Sequence, residues 1–342
     1  MSAHIPTSDD RPVWDVWLSS LWLPSVTATL ELSIYETLAT APSGADELAA
    51  KLGLRSRRIE ILLRMQVALG FLTLHMGRFH LSDTGRLYLL RASPFFWGHV
   101  WRNMNDNPTH RRLLEAVRQP AAQVAPEIGA SPPAQAWESG QLGDELAGTI
   151  ARFMHSHSLA ASVGLAVNAD FSGTRRLLDV GGGSGCFAIS LAQHWPDLNC
   201  TVMDLPAMCR LADQYISDAG VARRVDTRSV DMFREPWPRG YDAIFFSNIF
   251  HDWSPETCAE LAAKARAVLP SGGRICLHEM LLEDTGTGPR TAAAFSVLML
   301  MGTKGQQFTL AELKSILDGA GFVELQVTPS YGYYSLVTAR AP

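Results

Sequence analysis

The chain has 342 residues, of which 18% are charged and 47% hydrophobic, and a net charge of −5. That length exceeds one ordinary core and predicts two domains. The acidic balance excludes a generic nucleic-acid binder, whose affinity rests on clustered Lys and Arg, and no run approaches the ~20 apolar residues of a membrane span.

Met1 to Arg11 carries Asp9 and Asp10 without an apolar run, so no signal peptide and a cytoplasmic location are expected. In residues 13–90, Ile34, Leu38, Leu48, Leu52, Ile59, Leu62, Leu63 and Leu69 recur at helical intervals, broken by Thr40–Gly44. Two short strand-like runs, 70–75 and 77–81, follow. Three helices and a hairpin make a winged-helix pattern. Residues 91–173 read as helical and irregular, with a Pro- and Ala-rich link at 119–136 and a helix at 147–166. The predicted boundaries are 12–95, 96–170 and 171–342.

The last region alternates strands (176–181, 200–204, 225–230, 241–248, 274–279) with helices (186–194, 207–219, 255–268). A helix at 309–320 and strands at 323–328 and 333–338 close it. Continuous apolar strands between helices imply a parallel sheet covered on both faces. The link 329–332 is short enough for a hairpin, so one antiparallel pair is expected. The fold class is α/β, five parallel strands and a terminal hairpin. Cys186, Cys200, Cys209, Cys258 and Cys276 form no C-x-x-C pair and fall in these core-like segments, so free thiols and no metal site are expected.

Ligands of such sheets bind beyond the carboxyl ends of the strands. The first strand ends in Asp179-Val180, and Gly181, Gly183 and Gly185 follow as G-x-G-x-G, where the dinucleotide fingerprint would be G-x-G-x-x-G. A carboxylate at Asp179 suits an ammonium and repels a pyrophosphate. Asp204, at the end of the second strand, can accept both ribose hydroxyls. Asp231-Met232, after the third, can bracket an adenine with an acid and a thioether. Three acids at three successive strand ends point to S-adenosylmethionine over a nicotinamide cofactor. His251 follows the fourth strand, where a near-neutral base can unmask a poor nucleophile.

Asp179–Gly185, Asp204-Leu205-Pro206, Asp231-Met232-Phe233 and Phe250-His251-Asp252-Trp253 resemble the caffeate-type and hydroxyindole-type O-methyltransferases and their bacterial relatives in antibiotic pathways. The resemblance covers nearly the whole chain. It implies a Rossmann-like methyltransferase sheet with an N-terminal winged-helix dimerisation domain, hence a homodimer. It implies that Gly181 meets the methionine part of the cofactor, Asp204 the ribose, and Asp231 and Met232 the adenine, with Gly183 and Leu205 also at the cofactor. Ser247 stands where relatives often carry a cofactor-proximal Lys. His251 is the implied general base, with Glu279 as its orienting acid. Gln307 replaces a second Glu, which implies a less basic His251 than two acids would give. Met154-His155-Ser156-His157-Ser158 resembles the family's cleft-lining segment. Phe153, Met154, His157, Phe250, Trp253 and Met299 are the candidate acceptor contacts, with Trp97, Trp101, Met104 and Met301 as further apolar candidates.

The expected function is methyl transfer to a hydroxyl of a small aromatic acceptor. Methylation of carbon, on an aromatic ring or beside a keto acid carbonyl, needs the same base and stays open. So does nitrogen. A DNA-binding winged helix is the alternative of another class: its recognition helix, 55–69, would carry Arg55, Arg57, Arg58 and Arg64 on a helix much of whose remainder is apolar.

Overall fold

The computed structural model describes residues 5–102, 107–118, 143–285 and 288–342. The expected link at 119–136 and Met104 lie outside the described residues. The chain divides into two compact units, one of Pro12–Pro126 with Leu281–Leu310, the other of Met1–Arg11, Glu127–Met280 and Ala311–Pro342. None of the described helices is long and apolar enough to cross a membrane.

The first unit runs α1 (Arg11–Ser19), α2 (Trp22–Glu31), α3 (Ile34–Thr40), α4 (Ala45–Leu52), α5 (Ser56–Ala68), β1 (Leu72–His75), β2 (Arg78–Leu81), α6 (Asp83–Leu89), α7 (Gly98–Arg102) and α8 (Pro108–Arg118). Gly53 ends α4 in the left-handed region at φ 66°, a conformation that costs glycine nothing. Ser82 caps α6 by accepting the Gly85 N–H at 3.0 Å. β1 and β2 form the expected antiparallel hairpin, Leu72 opposite Leu81. The apolar face of α5 (Ile59, Leu62, Leu63, Met65) is fully buried. Its arginines are engaged within the unit: Arg64 pairs with Glu60 at 2.9 Å, and Arg58 donates to the Ala116 carbonyl. The 281–310 segment supplies a further helix to this unit, buried along most of its length, with Phe295 against Trp14.

The second unit opens with α9 (Asp144–Asn168), then β3 (Arg176–Val180), α10 (Cys186–His194), β4 (Asn199–Asp204), α11 (Pro206–Asp218), β5 (Val225–Ser229), β6 (Ala243–Ser247), α12 (Pro255–Val268) and β7 (Arg274–Met280). After α13 (Arg290–Gly302), which is the helix given to the first unit, come α14 (Leu310–Gly319), β8 (Val323–Tyr331) and β9 (Tyr334–Arg340). The sheet order is β5-β4-β3-β6-β7-β9-β8. β3, β4, β5, β6 and β7 pair in parallel, so their carboxyl ends share one edge.

One expectation needs correction. Two antiparallel pairings are present, not one, because β9 inserts between β7 and β8. The apolar residues explain it: Leu336, Val337 and Ala339 of β9 are buried, whereas most of β8 is exposed. The half-polar strand therefore takes the sheet edge. β8 also runs three residues further than expected, leaving only Gly332-Tyr333 as the turn. All five cysteines are buried and free.

Candidate active site

The carboxyl edge of the parallel strands opens into a cleft of about 970 Å³, counting space open to solvent at its mouth. It is lined by all eight residues expected at a cofactor: Asp179, Gly181, Gly183, Asp204, Leu205, Asp231, Met232 and Ser247. They come from four adjacent strand ends because a parallel sheet sets every carboxyl end on the same edge.

The glycine loop follows β3. Gly181 and Gly183 have φ of 69° and 58°, which other residues adopt at a cost. A Cβ on Gly182 would lie 2.6 Å from Asp179 Oδ2, so the loop passes directly over that carboxylate. The Gly183 N–H donates to Asp204 Oδ2 at 2.9 Å, and the Leu205 N–H to Asp204 Oδ1 at 2.7 Å. Asp204 thus ties the loop of β3 to the end of β4, and each oxygen keeps a further lone pair.

Both acids are buried. Burial, with the nearby Asp204 charge, pushes Asp179 up to about 7 against a hydrogen bond from the Ala188 N–H. Burial pushes Asp204 up to about 6, opposed by its two backbone donors. Asp179 Oδ2 is a buried acceptor without a hydrogen-bond partner, a group that a cationic ligand satisfies. These carboxylates, the glycine cradle and the apolar Met203, Met208 and Trp253 on the cleft wall fit S-adenosylmethionine, which is cationic at one end and aromatic at the other.

Past β5, Asp231 Oδ1 accepts the Phe233 N–H at 2.9 Å. The Met232 carbonyl accepts Lys264 Nζ at 2.7 Å and the Trp237 indole N–H at 2.9 Å. Lys264 and Trp237 therefore hold the Asp231-Met232 segment in place, a role with no local sequence signal.

The end of β6 carries the candidate base. Asn248 is left-handed at φ 56° and turns the chain into the short helix Phe250–Asp252. Backbone of this kind in a non-glycine residue concentrates at functional sites. Glu279, on β7, clamps that helix from both oxygens. Oε1 accepts the Phe250 N–H at 3.0 Å, and Oε2 stands 2.8 Å from His251 Nδ1. His251 Nε2 points to the other side, 3.8 Å from Asp252 Oδ1. Burial alone would depress the imidazole, but Glu279 and then Asp252 outweigh it and raise His251 above the ordinary histidine value. Asp252 is itself raised to about 6 by burial, against the His251 charge. The Asp252 carboxylate is a second acid beside His251, in addition to Glu279.

The acceptor candidates separate. Met154 and Trp253 line the cleft, as does Ser158 of the expected cleft-lining segment, together with Ile150, Asn248 and Asp252. Phe153 and His157 face each other edge to face at 5.1 Å on α9. Burial, then the His251 charge, push His157 down to about 4. Phe250 packs into the core against Phe246 at 5.1 Å and does not line the cleft. His155 stands 3.0 Å from Ser184 of the glycine loop and stacks on Tyr215. Gln307 and Met299 belong to the other unit. There Gln307 is fully buried, its backbone N–H bonded to Ser296 Oγ at 3.0 Å, and Met299 is buried in α13. Among the further apolar candidates, Trp97 is exposed and tilts against Trp101, and Met301 is buried in the same helix as Met299.

Comparison with known proteins gives this arrangement a family. The family model for the O-methyltransferase domain matches residues 110–323, and that for the O-methyltransferase dimerisation domain matches residues 17–91. The chain is 36% identical over 314 residues to 3-hydroxy-5-methyl-1-naphthoate 3-O-methyltransferase of Streptomyces sahachiroi, covering 90% of this chain and 88% of that one. It is 29% identical to L-tyrosine C(3)-methyltransferase of Streptomyces lavendulae, covering 86% and 82%. An O-methyltransferase family 2 protein from Planctomyces limnophilus DSM 3776, solved in complex with apigenin, superposes with a TM-score of 0.86 at 25% identity, covering 99% and 98%. The chain belongs to the O-methyltransferase family. It is an enzyme, and its methyl donor is S-adenosylmethionine.

Proposed function

We propose that the enzyme methylates a hydroxyl of a small, flat aromatic acceptor, with His251 as the general base. The observation that carries this reading is the Glu279–His251 pair at 2.8 Å beside the cofactor cleft. With Nδ1–H directed at Glu279, the neutral imidazole keeps its lone pair on Nε2. That atom takes the acceptor's hydroxyl proton, and Glu279 and Asp252 stabilise the imidazolium that results. Asp231 and Met232 hold the adenine, Asp204 the ribose hydroxyls, and Asp179 with Gly181 and Gly183 the methionine end. When bound, S-adenosylmethionine supplies a methyl group on a cationic sulfur. Trp253 and Met154 keep the cleft wall apolar and orient the two reactants, which supplies much of the acceleration.

The naphthoate relative acts on an aromatic hydroxyl, which supports oxygen as the methyl acceptor. Carbon methylation is the second reading, favoured by the tyrosine C(3)-methyltransferase relative; it would use the same base on a ring made nucleophilic by phenol deprotonation. Homodimer formation through the N-terminal domain and a cytoplasmic location belong to the same proposal.

The test is incubation with carbon-13 methyl-labelled S-adenosylmethionine and a panel of naphthols, phenols and aromatic amino acids. A methoxy carbon shift is expected, and a C-methyl shift would establish the second reading. His251→Ala is expected to slow turnover by at least about 10²-fold; a near-wild-type rate would remove His251 from the mechanism.

A further inference from the structure

Ser247, the last residue of β6, lines the cofactor cleft, and behind it runs a buried chain of polar groups. Ser247 Oγ lies 3.0 Å from His278 Nδ1, His278 Nε2 lies 2.8 Å from Ser330 Oγ, and Ser330 Oγ lies 3.0 Å from the Tyr334 carbonyl. His278 is fully buried on β7 and stacks on Tyr334 with ring centroids 4.9 Å apart. Nothing in the reaction described above uses it.

The protons of this chain can be assigned. The Tyr334 carbonyl only accepts, so the Ser330 hydroxyl donates to it. Ser330 must then accept from His278, which places the ring proton on Nε2. A neutral imidazole carries one such proton, and burial drives His278 to about 3, well below neutrality. Nδ1 is therefore an acceptor, and the Ser247 hydroxyl donates to it. The opposite assignment leaves Ser330 Oγ and the Tyr334 carbonyl as two facing acceptors at 3.0 Å. Only the first assignment satisfies all three contacts.

With its proton committed inward, Ser247 presents only lone pairs to the cleft. The order β5-β4-β3-β6 sets Asp231, Asp204, the glycine loop and Ser247 in a row. S-adenosylmethionine offers its donors in one linear order: adenine amino group, ribose hydroxyls, ammonium. On the binding reading proposed above, on which this inference rests, the ammonium falls over β3 and β6. We propose that Ser247 accepts a hydrogen bond from the ammonium of the methyl donor, and that His278 and Ser330 are positioning residues that make Ser247 an obligate acceptor. The polarity is opposite to that of a lysine at this position, which would call for the donor's carboxylate.

The experiment has two arms on the full-length protein. Nitrogen-15 spectra of the His278 ring should show the Nε2–H tautomer in the wild type. The Nδ1–H tautomer would overturn the proposal. In calorimetric titrations, S-adenosylhomocysteine should bind the wild type about tenfold or more tighter than its desamino analogue, the range of a hydrogen bond to a charged group. That preference should shrink in Ser247→Ala, leaving the share that Asp179 supplies. It should also shrink in Ser330→Ala, which lies outside the cleft and frees the ring to adopt the other tautomer. An undiminished preference in Ser247→Ala overturns the assignment. Failure of S-adenosylhomocysteine to bind the wild type at all would instead overturn the cofactor-site reading beneath it.

Discussion

His251 is nearly inaccessible to water, at 3% exposure, and still more basic than an ordinary histidine. Two opposed effects meet there. Burial penalises the imidazolium, and the carboxylates of Glu279 and Asp252 favour it more strongly. The base form therefore appears at higher pH than for an ordinary histidine, and the acidic limb of kcat/KM should lie above pH ~6.5. Glu279→Gln removes the main stabiliser of the charged form and leaves burial to dominate. The limb should move to lower pH while kcat falls, because Nε2 is then held less firmly. A pH–rate profile of the two proteins checks this, and a limb that stays in place would assign it to another group. The neighbouring His157, depressed to about 4, stays neutral throughout this range and adds no second positive charge.

At the scale of elements, the ends of β3 and β4 place two buried acids beside one another. Asp179 and Asp204 are raised to about 7 and about 6 in the unliganded protein. A cationic ligand favours the ionised acid, so its binding releases protons wherever these groups are protonated. The sign follows: affinity for S-adenosylmethionine should rise with pH through the interval from about 6 to about 7 and flatten above it, by up to about tenfold per proton per pH unit. Asp179→Asn should remove the part of that slope nearest 7 and weaken binding at higher pH. Calorimetry across pH measures both, and a flat wild-type profile would show that neither acid titrates against the ligand. The loop over Asp179 explains why glycine is needed there. At Gly182 the obstacle is the carboxylate itself, which a Cβ would meet at 2.6 Å.

For the whole molecule, the dimerisation domain at 17–91 predicts two chains per particle. Sedimentation equilibrium should return twice the 37.4 kDa of the chain at micromolar concentration. A concentration-independent mass of one chain would refute that. The winged-helix pattern invites a DNA-binding reading. The arginines of α5 argue otherwise, since Arg58 and Arg64 are already bonded to groups of their own unit.

Local pattern made much of this protein legible. Apolar runs between helical stretches placed β3, β4, β6 and β7 to within about two residues, because strands buried on both faces have few polar positions to blur them. The acids at strand ends were readable for the same reason: a charge closing an apolar run has few structural uses. β8 was harder, since an exposed edge strand carries little periodicity, and its place outside β9 depends on which strand has more to bury. Short-range motifs placed Asp179, Asp204, Asp231 and His251 at one edge before any coordinates. Contacts made across long separations were not accessible in that way. The support of Met232 by Lys264 and the chain from Ser247 through His278 to Ser330 join residues whose identities carry no mark of one another. Hydrogen-bond directions and pKa shifts depend on burial and on partners brought from distant strands. The sequence alone therefore determined the parallel part of the sheet and the kind of cofactor it holds. The tertiary structure decided how basic His251 is, which acids are raised toward neutrality, and which way each buried proton points.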